Sequence, residues 1–171
     1  MRTLVVIAHQ NLEESKVNAR WIEELKKYPD EFTIHNLGNS YEFDVVKEQE
    51  MIKSHDKLVL QFPIYWFNCP PNMKKWLDDV FIEGWAYGKN NQIKNHKVSL
   101  LVSAGIKEKN YSKNGRYKYS LNEILVPFEV SFSYMEANYQ GFFASYGAEY
   151  DLTTNDIENN LPQMLDFIRS I

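Results

Sequence analysis

Three stretches of this sequence combine residue types that can do chemistry. The first is Ala8-His9-Gln10-Asn11-Leu12-Glu13-Glu14-Ser15-Lys16-Val17-Asn18, lying between an apolar run and a helix-like segment. Free N–H groups and the positive end of the dipole at a helix N-terminus attract anions. His9, Ser15 and Asn18 add a ring donor, a hydroxyl and an amide, so the stretch is a candidate phosphate cradle. Taken alone, Ser15 reads first as a plain N-cap, and both roles face the same helix end. His9 reads equally as a surface residue. Glu13 and Glu14 would repel a phosphate, so they are expected to point outward. The second stretch is Pro63-Ile64-Tyr65-Trp66-Phe67-Asn68-Cys69-Pro70-Pro71, with three adjacent aromatics after another apolar run. Such a patch is seldom left idle. It either paves a flat pocket for a heteroaromatic ring or plugs the core or a dimer contact. Cys69 is expected to be packed, since nothing near it in sequence depresses its pKa. The third stretch, Ser103-Ala104-Gly105-Ile106, permits close backbone approach to a ligand, and reads equally as an ordinary turn. Tyr111, Gly115, Arg116 and Tyr117 lie in a polar stretch expected to cover such a site.

Composition removes several classes. The 171 residues carry 19 basic and 23 acidic side chains, a formal −4. With no basic excess, no nucleic-acid partner is expected. Charged residues make up 25% and hydrophobic residues 44%, the balance of an ordinary soluble domain. The length predicts a single domain over residues 1–171. No apolar run approaches the roughly 18 residues of a membrane span, and MRTLVVIAHQ turns polar too soon for a signal peptide. A cytoplasmic protein is expected. One cysteine leaves no internal disulfide, and the four histidines show no metal-ligand spacing, so no metal site is expected. Neither GxSxG, GxGxxG nor GxxxxGK[ST] occurs. Aromatics reach 15%, a supply suited to stacking flat ligands as well as to a heavy core.

The elements that must position these stretches alternate. Thr3–Ala8, Phe32–Asn36, Lys57–Phe62, Lys97–Val102 and Gly141–Tyr146 read as strands, several of them continuous apolar runs. Between them, helices are predicted over Ser15–Lys27, over Val45–Ser54 capped by Asp44, and from Pro70-Pro71 onward with an apolar stripe at Met73, Trp76, Leu77, Val80 and Phe81. Residues 117–134 and Asn155–Ser170 complete the set, with Pro127 disturbing the former and Pro162 delaying the regular part of the latter. Five β-α units predict an α/β three-layer sandwich, with a flavodoxin-like parallel sheet of order 2-1-3-4-5. Ligands of such sheets bind beyond the carboxyl ends of the strands, where the three stretches lie.

Taken together, the stretches resemble the flavodoxin-fold NAD(P)H:quinone oxidoreductases. AHQNLEESKVN is similar to that family's AHP…S..N opening. FPIYWFNCPPNMKKWLDDVFIEGWAYG is similar to its most distinctive segment, P-x-x-W-[FY]-x-x-P-x-x-x-K-x-W-x-D-x-V-[FL] followed by G-W-A-Y-G. The likeness runs from Leu4 to about Tyr146, and the short length resembles the bacterial branch. The resemblance implies FMN rather than FAD, with NADPH or NADH as donor and a quinone-like small-molecule acceptor receiving two electrons as hydride. It implies that His9, Ser15 and Asn18, with the backbone of Lys16 and Val17, hold the flavin phosphate. Pro63, Tyr65, Trp66, Phe67 and Asn68 match the loop against the isoalloxazine ring. Ser103, Ala104, Gly105 and Ile106 fall where the family has T-T-G-G, and their backbone N–H groups are the implied donors to the ring. Tyr111 matches a tyrosine near the flavin, and Tyr117 falls at a histidine position; both are the candidate catalytic side chains. Gln10 and the SAGI stretch depart from the family pattern. The same family includes ancillary flavoproteins of potassium efflux, which makes a membrane transporter a second candidate partner. A flavodoxin-type electron carrier is a further alternative, although its TxTGxT loop is lacking. The family commonly dimerises, and Phe81–Tyr87 is the candidate contact of a homodimer; Trp85 and Tyr87 packing on their own subunit is the alternative.

Overall fold

The computed structural model describes residues 1–171. Strands β1 (Thr3–Ile7), β2 (Phe32–Asn36), β3 (Lys57–Pro63), β4 (Lys97–Ala104) and β5 (Asn138–Tyr146) alternate with helices α1 (Lys16–Leu25), α2 (Val45–Lys53), α3 (Pro71–Val80), α4 (Leu121–Tyr134) and α5 (Thr154–Ser170). Strands covered on both faces must be apolar throughout, and every residue of β1 and β3 is buried. The sheet order is β2-β1-β3-β4-β5, with all pairs parallel. The expected flavodoxin-like α/β fold and strand order are therefore present.

The alternation of side chains along each strand divides the core in two. Val5, Ile7, Val59 and Leu101 face α1 and α5, around a fully buried Trp21. Leu4, Val6, Leu58 and Leu60 face α2, α3 and α4, around a fully buried Trp76. Each large aliphatic side chain so buried contributes about 1.5–3 kcal/mol. The Trp76 indole N–H donates to Glu48 at 2.8 Å, so this buried donor is paired. Lys57 extends its ammonium to the carbonyls of Ile168 and Arg169, at 3.1 and 3.0 Å, and so holds the C-terminal end of α5.

Several boundaries differ from the sequence expectation, most of them by one or two residues, and four differences have a clear cause or a larger extent. β4 runs on to Ala104, because its pairing with β5 continues to Ala104↔Tyr146. β5 begins earlier, at Asn138. The helix expected from residue 117 starts at Leu121, where Ser120 and Glu123 form a capping box. Pro162 does not delay α5, because the Thr153–Asp156 capping box starts the helix at Thr154.

Candidate active site

The segments that follow β1, β3, β4 and β5 leave from one edge of the sheet. β1 leads to α1 on one face, and its neighbour β3 leads to α3 on the other. A crevice opens between chains that diverge in this way.

The first wall is the N-terminus of α1. Ser15 caps it, its hydroxyl accepting the Asn18 N–H at 3.0 Å. The N–H groups of Lys16 and Val17 donate to no protein acceptor. His9 accepts the Asn11 N–H on Nδ1 at 3.1 Å. A neutral ring then carries its proton on Nε2 as a donor, and burial pushes the His9 pKa down, toward that neutral form. Glu13 and Glu14 are exposed, as expected. Asn18 and Ser103 are buried, and they face each other. The Asn18 amide donates to the Ser103 hydroxyl at 2.9 Å. Gln61 in turn donates to the Asn18 carbonyl oxygen at 3.1 Å and to its side-chain oxygen at 3.2 Å. These bonds tie the β1, β3 and β4 segments together beneath the crevice.

The second wall is the turn after β3. Tyr65 and Asn68 exchange backbone hydrogen bonds of 2.8 and 3.0 Å. That leaves Trp66 and Phe67 at the tip, with φ of 49° and 62°. A two-residue turn of this handedness favours Asn-Gly. Two aromatics in left-handed backbone are strained and are held by surrounding structure. Trp66 is 95% exposed and Phe67 42%, so neither plugs the core. Cys69 is buried, and burial pushes its thiol up to about 11, so it is packed rather than reactive.

The third wall is the end of β4. The carbonyls of Ala104, Gly105 and Ile106 accept N–H groups from Ala148, Glu149 and Gly147 at 3.0–3.1 Å. In a trans peptide the N–H points opposite to the C=O. The N–H groups of Gly105, Ile106 and Lys107 therefore point away from the 147–149 segment. None of the three donates to a protein acceptor. Ser103 and Ala104 are buried within β4 itself rather than in the loop.

Aromatic contacts join these walls. Phe67 meets Tyr117 at 5.0 Å between ring centroids, Tyr117 meets Tyr111 at 5.0 Å, and Tyr111 meets Tyr146 at 5.6 Å. His9 meets Tyr65 at 6.5 Å. Burial pushes the Tyr111 hydroxyl pKa up, and that of Tyr146 up to about 12, so both stay protonated at neutral pH. All three stretches singled out in the sequence thus meet at one crevice. Sequence reasoning missed Gln61, although it is the one polar residue in the apolar run LVLQF. It also missed Tyr146 and the 147–149 segment, which bear no local signal.

A groove of about 570 Å³ lies beside the crevice, between α3 and α4, reaching from Asn68 to Tyr134. The α4 side chains Val126, Val130 and Tyr134 are exposed at i, i+4 and i+8. In the Phe81–Tyr87 segment, Phe81 and Ala86 are buried, and Trp85 and Tyr87 pack against the same core. The alternative reading of that segment therefore holds for most of it, and Ile82 is its exposed apolar residue.

A family described by its flavodoxin-like fold matches residues 1–168. The chain is 35% identical over 174 residues to an uncharacterized NAD(P)H oxidoreductase of Bacillus subtilis, covering 99% of each chain. It is 31% identical over 134 residues to a glutathione-regulated potassium-efflux system ancillary protein of Cronobacter sakazakii, covering 76% of this chain and 72% of that one. The solved structure of general stress protein 14 of Treponema denticola, in complex with FMN, superposes with a TM-score of 0.94 at 37% identity, covering 99% of both chains.

Proposed function

The chain belongs to the flavodoxin-like family matched over residues 1–168, and on that basis we propose that it is an FMN-dependent NAD(P)H oxidoreductase passing two electrons, as a hydride equivalent, to a quinone-like acceptor. The observation that carries this reading is the row of unpaired amides at Gly105, Ile106 and Lys107, facing away from carbonyls that the 147–149 segment already holds. Such a row suits the electron-rich edge of a flat heteroaromatic ring.

The residues present fit FMN. The free Lys16 and Val17 amides and the His9 Nε2–H suit a phosphate. The exposed Trp66–Phe67 turn, opening from Pro63 and Tyr65, offers a stacking surface. When bound, FMN supplies the two-electron redox chemistry. The protein's part is to bind and orient. The Gly105–Lys107 amides stabilise negative charge that develops at the ring edge, an effect of the oxyanion-hole kind. Buried Asn18, Gln61 and Ser103 fix the distance between the phosphate end and the amide end. Tyr111 and Tyr117 border the stacking space, and burial keeps the Tyr111 hydroxyl protonated, and so able to donate a hydrogen bond. Donor and acceptor share one open face, which predicts ping-pong kinetics; an obligatory ternary complex would count against this.

The exposed α4 stripe and the adjoining groove support a homodimer, which light scattering on dilution tests. Likeness to the potassium-efflux ancillary protein supports a second reading, in which the FMN-loaded chain also docks on a membrane transporter. Co-purification from solubilised membranes tests it. No helix here is long and apolar enough to cross a membrane, and a cytoplasmic location is proposed with that partner.

The deciding experiment is the visible spectrum of the purified protein before and after anaerobic NADPH. Flavin absorbance that bleaches promptly supports the reductase. A yellow protein that does not bleach favours the regulatory reading. A colourless protein that takes up no added FMN refutes both.

A further inference from the structure

The segment Lys107–Lys118 reads KEKNYSKNGRYK, five cations and one carboxylate, in a chain of formal charge −4. All five cations are exposed. Lys107 pairs with Asp151 at 2.8 Å. Lys109, Lys113, Arg116 and Lys118 pair with no carboxylate. Glu123 feels the Lys113 charge, but its carboxylate closes the α4 capping box.

This segment is tightly folded. A Cβ on Gly115 would clash with the backbone carbonyl oxygens of Lys109 and Asn110. The Gly115 N–H donates to Ser112, the Tyr117 N–H to Asn110, and the Ser112 hydroxyl to Lys109. On the inner side, Tyr111 is buried and Tyr117 packs on Phe67. On the outer side, the Arg116 guanidinium lies over the Tyr117 ring, 5.8 Å from its centroid. A cationic platform therefore stands one aromatic ring away from the Trp66–Phe67 turn.

A merely solvated face usually interleaves both signs of charge. Here four unpaired charges of one sign border a crevice in an otherwise acidic protein. We propose that this platform recognises the 2′-phosphate of NADPH, making the phosphorylated dinucleotide the preferred electron donor and Arg116 its principal contact. The proposal rests on the oxidoreductase reading above. Arginine offers a planar fork that matches phosphate geometry, while lysines act as point charges. The lysines raise the local concentration of a donor that carries extra negative charge over NADH.

Two measurements decide it. Calorimetric titration with adenosine 2′,5′-bisphosphate and with 5′-AMP reads the platform directly. The bisphosphate should bind at least tenfold tighter, with Arg116→Ala removing about tenfold, and with the preference shrinking at high salt. Steady-state kinetics of the FMN-loaded protein should favour NADPH in kcat/KM. Arg116→Ala should narrow the NADPH-to-NADH ratio about tenfold through KM. Arg116→Lys should fall between. Lys113→Ala with Lys118→Ala should flatten the salt dependence. Lys94→Ala, whose ammonium pairs with Glu136 away from the platform, should leave the ratio unchanged. Equal use of the two donors by a reducible, FMN-loaded protein would overturn the platform and leave the oxidoreductase standing. If neither donor reduces it, the oxidoreductase reading fails, and the titration still judges the platform: equal binding of bisphosphate and AMP rejects it.

Discussion

Replacing Asn18 tests whether the buried amide network sets the site. Its side chain donates to Ser103 at 2.9 Å and accepts from Gln61 at 3.2 Å, and Asn18 is 1% exposed. Asn18→Ala removes both bonds and strands two buried groups, the Ser103 hydroxyl and part of the Gln61 amide. Each buried group left unsatisfied costs about 1–3 kcal/mol, so the loss should reach about 2–6 kcal/mol. With a urea m-value of about 2 kcal/mol/M, the midpoint should fall by about 1–3 M. Asn18→Asp separates stability from binding. It keeps the shape and still accepts from Gln61, and the Ser103 hydroxyl can rotate to donate to it. It also sets a carboxylate beneath the α1 amides that would hold a phosphate. Urea unfolding of the flavin-free protein and FMN fluorescence quenching are the two assays. The Ala variant should lose stability, and the Asp variant should lose at least tenfold in FMN affinity while keeping most of its stability. An Ala variant with an unchanged midpoint, or an Asp variant binding FMN like the parent, would refute the reasoning.

Three further outcomes are expected. Burial raises the pKa of Tyr111 and Tyr139, and that of Tyr146 to about 12. The unfolded chain then releases tyrosine protons first, so stability is full below pH 10 and is lost as pH rises toward 12. Tyr146→Phe should flatten that alkaline fall in melting temperature; an unchanged profile would count against it. Trp66→Ala should change stability by less than about 0.5 kcal/mol, because the ring is 95% exposed, while raising KM for the acceptor. A large loss in the melt would instead make Trp66 structural. Gly115→Ala forces a Cβ against two backbone carbonyls, so trypsin should cut at Lys113, Arg116 or Lys118 faster than in the parent. Gly105→Ala meets the Glu149 carboxylate oxygen at 2.8 Å, the movable end of a flexible side chain, and its Cβ at 3.3 Å, so its effect on cleavage should be smaller.

Much of this molecule is local in origin and therefore readable in the chain. Continuous apolar runs mark β1 and β3 because parallel strands are covered on both faces. Ser15 and Asp44 mark helix starts because a short oxygen-bearing side chain satisfies free N–H groups close by in sequence. The alternation of such elements determines the sheet order, and with it the edge on which the three stretches gather. What the chain could not show depends on partners distant in sequence, which leave no periodic trace. The 147–149 segment takes the Ala104–Ile106 carbonyls, and only that pairing frees and directs the amides behind them. Gln61 reads as an oddity in a strand until folding brings Asn18 against it, 43 residues away in sequence. Trp66 and Val130 are both apolar by type, and only packing decided that Trp66 would stand in solvent and that α4, rather than most of Phe81–Tyr87, would carry the exposed apolar face. Helix caps and strand patterns arise from forces acting over a few residues, whereas the geometry of the crevice arises from contacts that exist only once the sheet has closed.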